Sequence, residues 1–370
     1  LSGYGLFIQL AHHTFRWSNE ARGKAAVYCV IIGFGKEDLP EKTLFTYPEV
    51  TQPYEHEAVP AAHINPYLMD APDVYIKAMQ APLCEVPEIH YGAKPTSKHL
   101  VLSENEYGEL LNSCPDAIPF IRPFISADEF LNRKTRYCIW LKDTSPNEWN
   151  KIPCLTTRIE ATKKQRESSS KPATREKAKV PYLFDEPRCS ETDFLLIPDH
   201  SSENREYIPI GFFSPDNIPS NSCHYIPDAT PYHFGVLTSA MHMAWVRATC
   251  GRLEGRYRYS KDIVYNNFPW PEGPTEAQRA KVEAAAQAVL AARAAHPQAS
   301  LADLYHPLAM PQDLRKAHTA LDRAVDRAYR PQPFPNEWGR LQFLFERHRQ
   351  LTEPLFRDQK QKKHRRKARS

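Results

Sequence analysis

The stretch Gly251-Arg-Leu-Glu-Gly-Arg-Tyr-Arg-Tyr-Ser260 gathers side chains able to read a base pair. Arg252, Arg256 and Arg258 are set among Tyr257 and Tyr259, and the segment leads on to Tyr265-Asn-Asn-Phe-Pro-Trp-Pro271. An Arg guanidinium can donate two hydrogen bonds to a guanine edge, and a neighbouring Glu can accept from the amino group of the paired cytosine. Arg carries only donors and an ionised Glu only acceptors, so the two are complementary readers. In an extended segment, Glu254 and Arg256 point the same way. A Glu–Arg ion pair on a surface strand uses the same two residues, and side-chain chemistry alone leaves both readings open.

A second basic stretch runs from Lys151 to Lys179. It holds Arg158, Lys163, Lys164, Arg166, Lys171, Arg175 and Lys177, opposed by Glu160, Glu167 and Glu176, and Ser168, Ser169 and Ser170 add hydroxyl donors. Such a stretch suits contacts to phosphate oxygens, which fix position without reading sequence. A solvated helix-and-loop face has the same composition, so this alternative also stays open.

Bond-making chemistry is harder to find. Gly33-Phe34-Gly35 follows a strand, as a nucleotide-binding loop would, but no third Gly follows and Lys36-Glu37-Asp38-Leu39-Pro40 cannot open an apolar helix. It reads as a loop glycine pair. Asn65-Pro66-Tyr67 invites comparison with the Asn-Pro-Pro-Tyr/Phe motif of amino-group methyltransferases, yet one Pro is missing and a Pro-rich linker precedes it. It reads as a turn. His12-His13 and Met241-His242-Met243 read as packed or exposed side chains rather than metal ligands. With no His-Glu-x-x-His, no phosphate-binding loop and no clustered His and Cys, the chain offers no self-contained catalytic, metal or cofactor site.

The elements that must position these residues follow from composition. Of 370 residues, 41% are hydrophobic and 25% charged, enough for two or three domains with a real core. There are 33 Pro against 13 Gly; that many prolines are not expected inside helices or central strands and imply an irregular fold with many short elements and ordered loops. The formal charge of +4 decides nothing about a partner; its distribution matters more. Eight Cys stand singly, which reads as reduced thiols rather than a disulfide or zinc framework. The longest apolar run near the start, Ala25 to Phe34, has strand length and is too short to span a membrane. No signal peptide is visible, and the cytoplasm is the expected location.

Residues 1–40 read as two strands, around Thr14-Phe15-Arg16-Trp17 and Ala25–Ile32, with Asn19 and Gly23 between. The second is continuous, as in a strand buried on both faces. Two strands make no domain, so they are expected to be the trailing edge of a larger sheet. The chain lacks an initiator Met and enters this pattern at once, which reads as a piece of a longer polypeptide. Residues 41–272 read as a mixed α+β domain. Its strands are expected near 100–102, 137–141, 194–197 and 207–210, with helices in the first half of 156–179 and over 234–247. Residues 273–355 read as a small helical domain opening on the capping box Thr275/Gln278, and 356–370 as a basic disordered tail.

With these pieces in place the chain resembles the C-terminal part of the MmeI-like (type IIL) restriction–modification enzymes and their kin among bacterial adenine-specific DNA methyltransferases. The resemblance rests on Phe15-Arg-Trp17 with Ala25–Phe34, on Ile64-Asn-Pro-Tyr-Leu68, Phe120-Ile-Arg-Pro123, Arg136-Tyr-Cys-Ile-Trp-Leu141, and Ser201-Ser-Glu-Asn-Arg205 with Tyr207-Ile-Pro209. Its most specific part runs from Phe234-Gly-Val-Leu-Thr-Ser239 through Tyr259-Ser260 to Pro271. It implies an α+β chain: a strand remnant of an α/β methyltransferase sheet, a mixed α+β target-recognition domain, and a C-terminal helical domain. Duplex DNA and an upstream methyltransferase domain are the implied partners. S-adenosylmethionine would be used by the longer protein and not held by this chain, whose own status as an enzyme stays undecided. Glu254 and Arg256 are the implied base readers, with Arg122, Arg136 and Arg205 as further candidates. Lys163, Lys164, Arg166, Ser168, Ser169, Ser170, Arg252 and Arg258 would hold the DNA backbone. Two rivals stand beside this reading. One is a separate specificity or adaptor subunit that docks through its first strands and the Ala-rich helix after Thr275. The other is a non-functional gene remnant.

Overall fold

The structure is a computed structural model and describes residues 4–18, 26–47, 55–253 and 255–367. The chain clusters into two compact units, Leu1–Lys77 with Leu341–Ser370, and Ala78–Arg340.

The first unit is built on a four-stranded sheet in the order β2-β1-β3-β4, from β1 (Phe7–Ser18), β2 (Ala26–Gly35), β3 (Lys42–Thr46) and β4 (Glu57–Ala61). β1 pairs antiparallel with β2 and parallel with β3. The strand group expected to end at residue 40 therefore runs on to Ala61, because β3 and β4 complete the ladder on the far side of β1. Ile8, Ala11, Leu44, Ala61, Ile64 and Leu68 form its core. β2 departs from expectation. Its β-branched and aromatic residues do form a strand, but Val27, Tyr28, Val30, Ile31, Ile32 and Phe34 stand exposed on both faces of an edge strand. Gly33 and Gly35 lie in that strand and not in a loop. Gly33 faces Leu10 at a bulge in β1, where an added Cβ would come within 2.8 Å of the Leu10 side chain. The turn residues Asn19 and Gly23 lie outside the described residues.

Asn65 is fully buried and its side chain is spent on a turn. Its carbonyl oxygen accepts from the amides of Tyr67 (2.9 Å) and Met69 (3.2 Å), and Leu68 takes a left-handed φ of 58°. His12 stacks on Phe45 with ring centroids 4.1 Å apart, and His13 Nε2 lies 2.7 Å from the Leu68 carbonyl.

The second unit contains β5 (His90–Tyr91), β6 (Val101–Ser103), β7 (Ile121–Ile125), β8 (Arg136–Ile139), β9 (Phe194–Pro198), β10 (His200–Ser201), β11 (Gly211–Phe213), β12 (Ile218–Pro219), β13 (Cys223–Pro227), β14 (Gly251–Leu253) and β15 (Arg256–Arg258). They make three small sheets, ordered β12-β7-β8-β6, β11-β9-β13-β5 and β10-β15-β14. Pro146, Pro153, Pro172 and Pro231 each open a helix, where the missing N–H is no loss; against expectation, Pro123 lies within the inner strand β7 and Pro354 within the helix Glu337–Lys367. Residues 207–210 are buried but form no strand, since Pro209 has no N–H for a ladder. The helix expected over 234–247 is two helices, Pro231–Leu237 and Ala240–Thr249, divided where Ser239 caps the second by accepting from the His242 amide.

Cys114 and Cys154 are joined as a disulfide, against the expectation of reduced thiols throughout. The helices Glu104–Ser113 and Pro153–Glu167 bring them to a Cα separation of 6.6 Å, which no sequence spacing announces. Towards the C-terminus come helices Glu276–Ala294, Leu301–Leu304, Gln312–Tyr329 and Glu337–Lys367. The last runs to Lys367, into the segment expected to be a disordered tail, whose Gln, Lys and Arg residues are good helix formers. Among the described residues no helix is long and apolar enough to cross a membrane.

Candidate nucleic-acid interface

The alternation Arg256-Tyr257-Arg258-Tyr259 sorts by the two-residue period of a strand: the arginines are exposed and the tyrosines buried. Tyr257 is 3% and Tyr259 4% exposed. β14 and β15 form a tight hairpin, with Leu253 opposite Arg256 and Gly251 opposite Arg258. The chain thus reverses between Leu253 and Arg256. Glu254, and with it the expectation that it points the same way as Arg256, lies outside the described residues.

The rear of this hairpin is fixed by buried polar contacts. The Tyr259 amide donates to the Asp199 carbonyl at 2.7 Å, and its hydroxyl lies 3.0 Å from His242 Nε2. Burial lowers the His242 pKa to about 3, so its imidazole is neutral and the contact is an ordinary hydrogen bond. His224 Nε2 sits 3.0 Å from Asp199 Oδ1. Trp245, fully buried, donates from its indole N–H to the Val264 carbonyl at 3.0 Å. These bonds hold β15 against the helix Ala240–Thr249, so the outward arginines stand on a fixed base.

Three arginines share the hairpin and a fourth joins them. Arg252 places its guanidinium carbon 4.2 Å from the centroid of the Tyr257 ring and donates to the Gly255 carbonyl at 3.1 Å. Arg256 and Arg258 are exposed. β10 pairs with β15, Ser201 opposite Tyr257, and half-buried Arg205 reaches back to donate to Ser201 Oγ at 3.3 Å. Burial lowers the Arg205 pKa. No periodicity signals β10, a strand of two residues; the nearest sequence clue is the run Ser201–Arg205.

Arg122 and Arg136 sit apart from this sheet, on β7 and β8. Arg136 donates to buried Glu129 at 3.0 Å and lies 5.0 Å from the Phe124 ring centroid. Exposed Arg122 reaches Asp216 at 3.5 Å. Lys163 and Lys164 are exposed near the end of helix Pro153–Glu167.

Arg166 is the clear correction. Its side chain is fully buried and donates to four main-chain carbonyls, of Lys177, Val180, Pro95 and Leu183, at 2.8–3.3 Å. It is an internal brace and reaches no phosphate. Of the three serines, Ser168 alone spends its hydroxyl hydrogen within the chain. Ser168 Oγ donates to the Gln165 carbonyl, Ser169 Oγ accepts from the Lys171 amide, and Arg175 takes up the Ser169 and Ser170 carbonyls. They close a helix C-terminus, where the helix dipole disfavours an anion.

Known proteins give this geometry a context. Family models match three successive parts of the chain: the MmeI DNA-methyltransferase domain over residues 1–46, the MmeI target recognition domain over 70–272, and the MmeI C-terminal domain over 274–356. "DNA methyltransferase A" of Bacillus subtilis (strain 168) is 35% identical over 352 residues, which cover 95% of this chain and 39% of that protein. A solved structure of the type IIL restriction–modification enzyme MmeI in complex with DNA superposes with a TM-score of 0.86 at 42% identity, over 95% of this chain and 47% of that one. The chain thus spans less than half the length of these two relatives. With more than half of its residues matched by the target recognition domain, it belongs to the MmeI family.

Proposed function

We propose that the unit Ala78–Arg340 reads a base sequence in duplex DNA, as the target-recognition part of an adenine-specific DNA methyltransferase of a restriction–modification system. The observation that carries the reading is the anchored hairpin β14–β15, which presents exposed Arg256 and Arg258 on one face, with Arg252 on the other face over the Tyr257 ring. That one relative is a restriction–modification enzyme solved with DNA, and another a DNA methyltransferase, supports it.

Arg256 donates to guanine and Glu254 accepts from the paired cytosine. Arg205, next to the same sheet, and Arg122 and Arg136, on another, are further base-edge candidates. Arg252, Arg258, Lys163 and Lys164 hold phosphates; Ser168 Oγ already donates to the Gln165 carbonyl, while Ser169 and Ser170 keep hydroxyl hydrogens to add. The reaction served is methyl transfer from S-adenosylmethionine to the exocyclic amine of a flipped adenine. The methyl donor would be held by methyltransferase residues and not by the recognition unit. β2, an edge strand apolar on both faces, is where the catalytic domain would continue the sheet, either in one polypeptide or as a separately encoded subunit. Such work on a bacterial chromosome is cytoplasmic.

The test is selection of bound duplexes from a random library, with a version ending at Phe356 to remove the basic tail's contribution. An enriched motif is expected, with affinity falling steeply from low to physiological salt. Removing Arg256 should relax one base pair by roughly 1–3 kcal/mol. Salt-insensitive binding with no enriched sequence would defeat the reading.

A further inference from the structure

The helices Glu276–Ala294 and Gln312–Tyr329 lie side by side, and along their outer surface run two open grooves of about 620 and 370 Å³. Both are lined by Ala320 and Arg323, so the two grooves adjoin and are taken together as one channel. Its floor is alanine, Ala285, Ala320 and Ala324, and its walls carry Lys281, Lys316, Arg323 and Arg327. No carboxylate lines either groove.

The charges of helix Gln312–Tyr329 are sorted by face. Its acids are engaged elsewhere: Asp322 accepts from the Tyr207 hydroxyl and the Ala240 amide, Asp326 pairs with Arg340 at 2.7 Å, and Asp313 pairs with His296 at 2.9 Å. Lys316, Ala320, Arg323 and Arg327 recur at helical spacing and form one outward stripe. Glu276 and Glu283 on the facing helix line neither groove. Among the described residues no carboxylate lies within ion-pair distance of Lys281, Lys316, Arg323 or Arg327; the exposed Arg315 at the far end is paired with Glu206.

We propose that this channel holds the phosphate backbone of duplex DNA away from the recognition hairpin, adding affinity without sequence preference. The inference rests on the DNA-recognition reading above. Along the helix axis the stripe's cations stand about 10 Å and about 6 Å apart, far enough for each to meet a separate phosphate. An alanine floor lets a sugar–phosphate chain approach closely. It offers none of the aromatic anchors on which protein partners usually settle, which argues against an acidic polypeptide.

The experiment compares the whole chain with a triple variant, Lys281→Gln, Arg323→Gln and Arg327→Gln, and separately with Arg256→Gln, on random-sequence and selected duplexes across a salt series. The triple variant should bind all duplexes roughly tenfold or more weakly at low salt, with a salt slope reduced by about 2–3 and an unchanged enriched motif. In the unsubstituted chain, duplex DNA should protect Lys281 and Lys316 from acetylation, a readout independent of how the variant folds. A folded triple variant with unaltered affinity and slope, while Arg256→Gln loses its motif, overturns the channel and leaves the recognition reading standing. Failure of the unsubstituted chain to bind any duplex overturns both. Protection of the two lysines by polyglutamate but not by DNA overturns the phosphate assignment alone.

Discussion

The guanidinium carbon of Arg252 stands 4.2 Å from the centre of the Tyr257 ring, across the register pair that joins β14 to β15. One ring thus fills the core beneath the sheet and supports a cation at its surface. The cation–π contact contributes roughly 0.5–1 kcal/mol at an exposed site. Its larger effect is to give the guanidinium one position before DNA arrives, so less side-chain freedom is lost on binding.

Tyr257→Ala should therefore lose twice. Truncating a buried aromatic costs about 3–5 kcal/mol of stability, and Arg252 loses its platform, so duplex affinity falls as well. Tyr257→Phe keeps the ring and should cost less than about 1.5 kcal/mol. Thermal melting and duplex titration of both variants check this; a Phe variant that binds as poorly as the Ala variant would remove the ring from the argument.

Arg166 and its neighbours Lys163 and Lys164 should separate cleanly. Arg166→Gln strands several of four buried carbonyls and should destabilise the fold by at least about 3 kcal/mol, since hydrogen bonds to a charged group are worth roughly 1.5–3 kcal/mol each. Lys163→Gln and Lys164→Gln should change stability by no more than about 0.5 kcal/mol while weakening all DNA sequences alike. Urea melts beside binding curves decide it. A stable Arg166→Gln protein with impaired DNA binding would restore the surface role.

Part of this was legible in the sequence. The period of two in Arg256-Tyr257-Arg258-Tyr259 announces which side chains face out. Leu155, Ile159, Thr162 and Arg166 also share one helical stripe, so the burial of Arg166 was written in its spacing and masked by the charge of the residues around it. Other features had no local signal. β10 is too short for any period, and its pairing with β15 is set by packing across the unit. The Cys114–Cys154 contact is 40 residues apart in sequence. The apolar run of β2 correctly gave a strand, but its prediction of burial on two faces depends on neighbours beyond the described sheet.

Asp322 makes stability depend on pH. Burial pushes its carboxyl up to about 6 from 3.8, against the opposing effects of the Ala240 amide, the Tyr207 hydroxyl and Arg340. Between about pH 4 and 6 the folded chain holds more protons than the unfolded chain, so stability from this group falls as pH rises through that window. The contribution is fully present below pH 3.8 and lost above about 6. Asp322→Asn should flatten that limb, by roughly 1–3 kcal/mol between its ends. Denaturant melts at pH 4, 5 and 6 measure it, and a variant that keeps the full slope would assign the limb to another group.

The recognition pair gives the sharpest test. Arg256 is exposed at the start of β15, two residues after Glu254 and across a tight reversal from Leu253. If Arg256 donates to guanine and Glu254 accepts from its paired cytosine, the pair is a donor–acceptor reader, and reversing donor and acceptor along the protein should reverse the base pair it prefers. The double variant Glu254→Lys with Arg256→Asp does this. Library selection with that variant should return the original motif changed at one position, while the single variant Arg256→Ala should only blur that position, by roughly 1–3 kcal/mol. The rival ion pair on a surface hairpin is worth under about 1 kcal/mol. It predicts that the double variant, with the ion pair merely inverted, selects the original motif with near-normal affinity. Lys163→Gln and Lys164→Gln serve as controls, since loss of a phosphate contact lowers affinity without altering the motif. An unaltered motif in a double variant that still binds takes both residues out of base reading and leaves Arg205, Arg122 and Arg136 as the next to exchange.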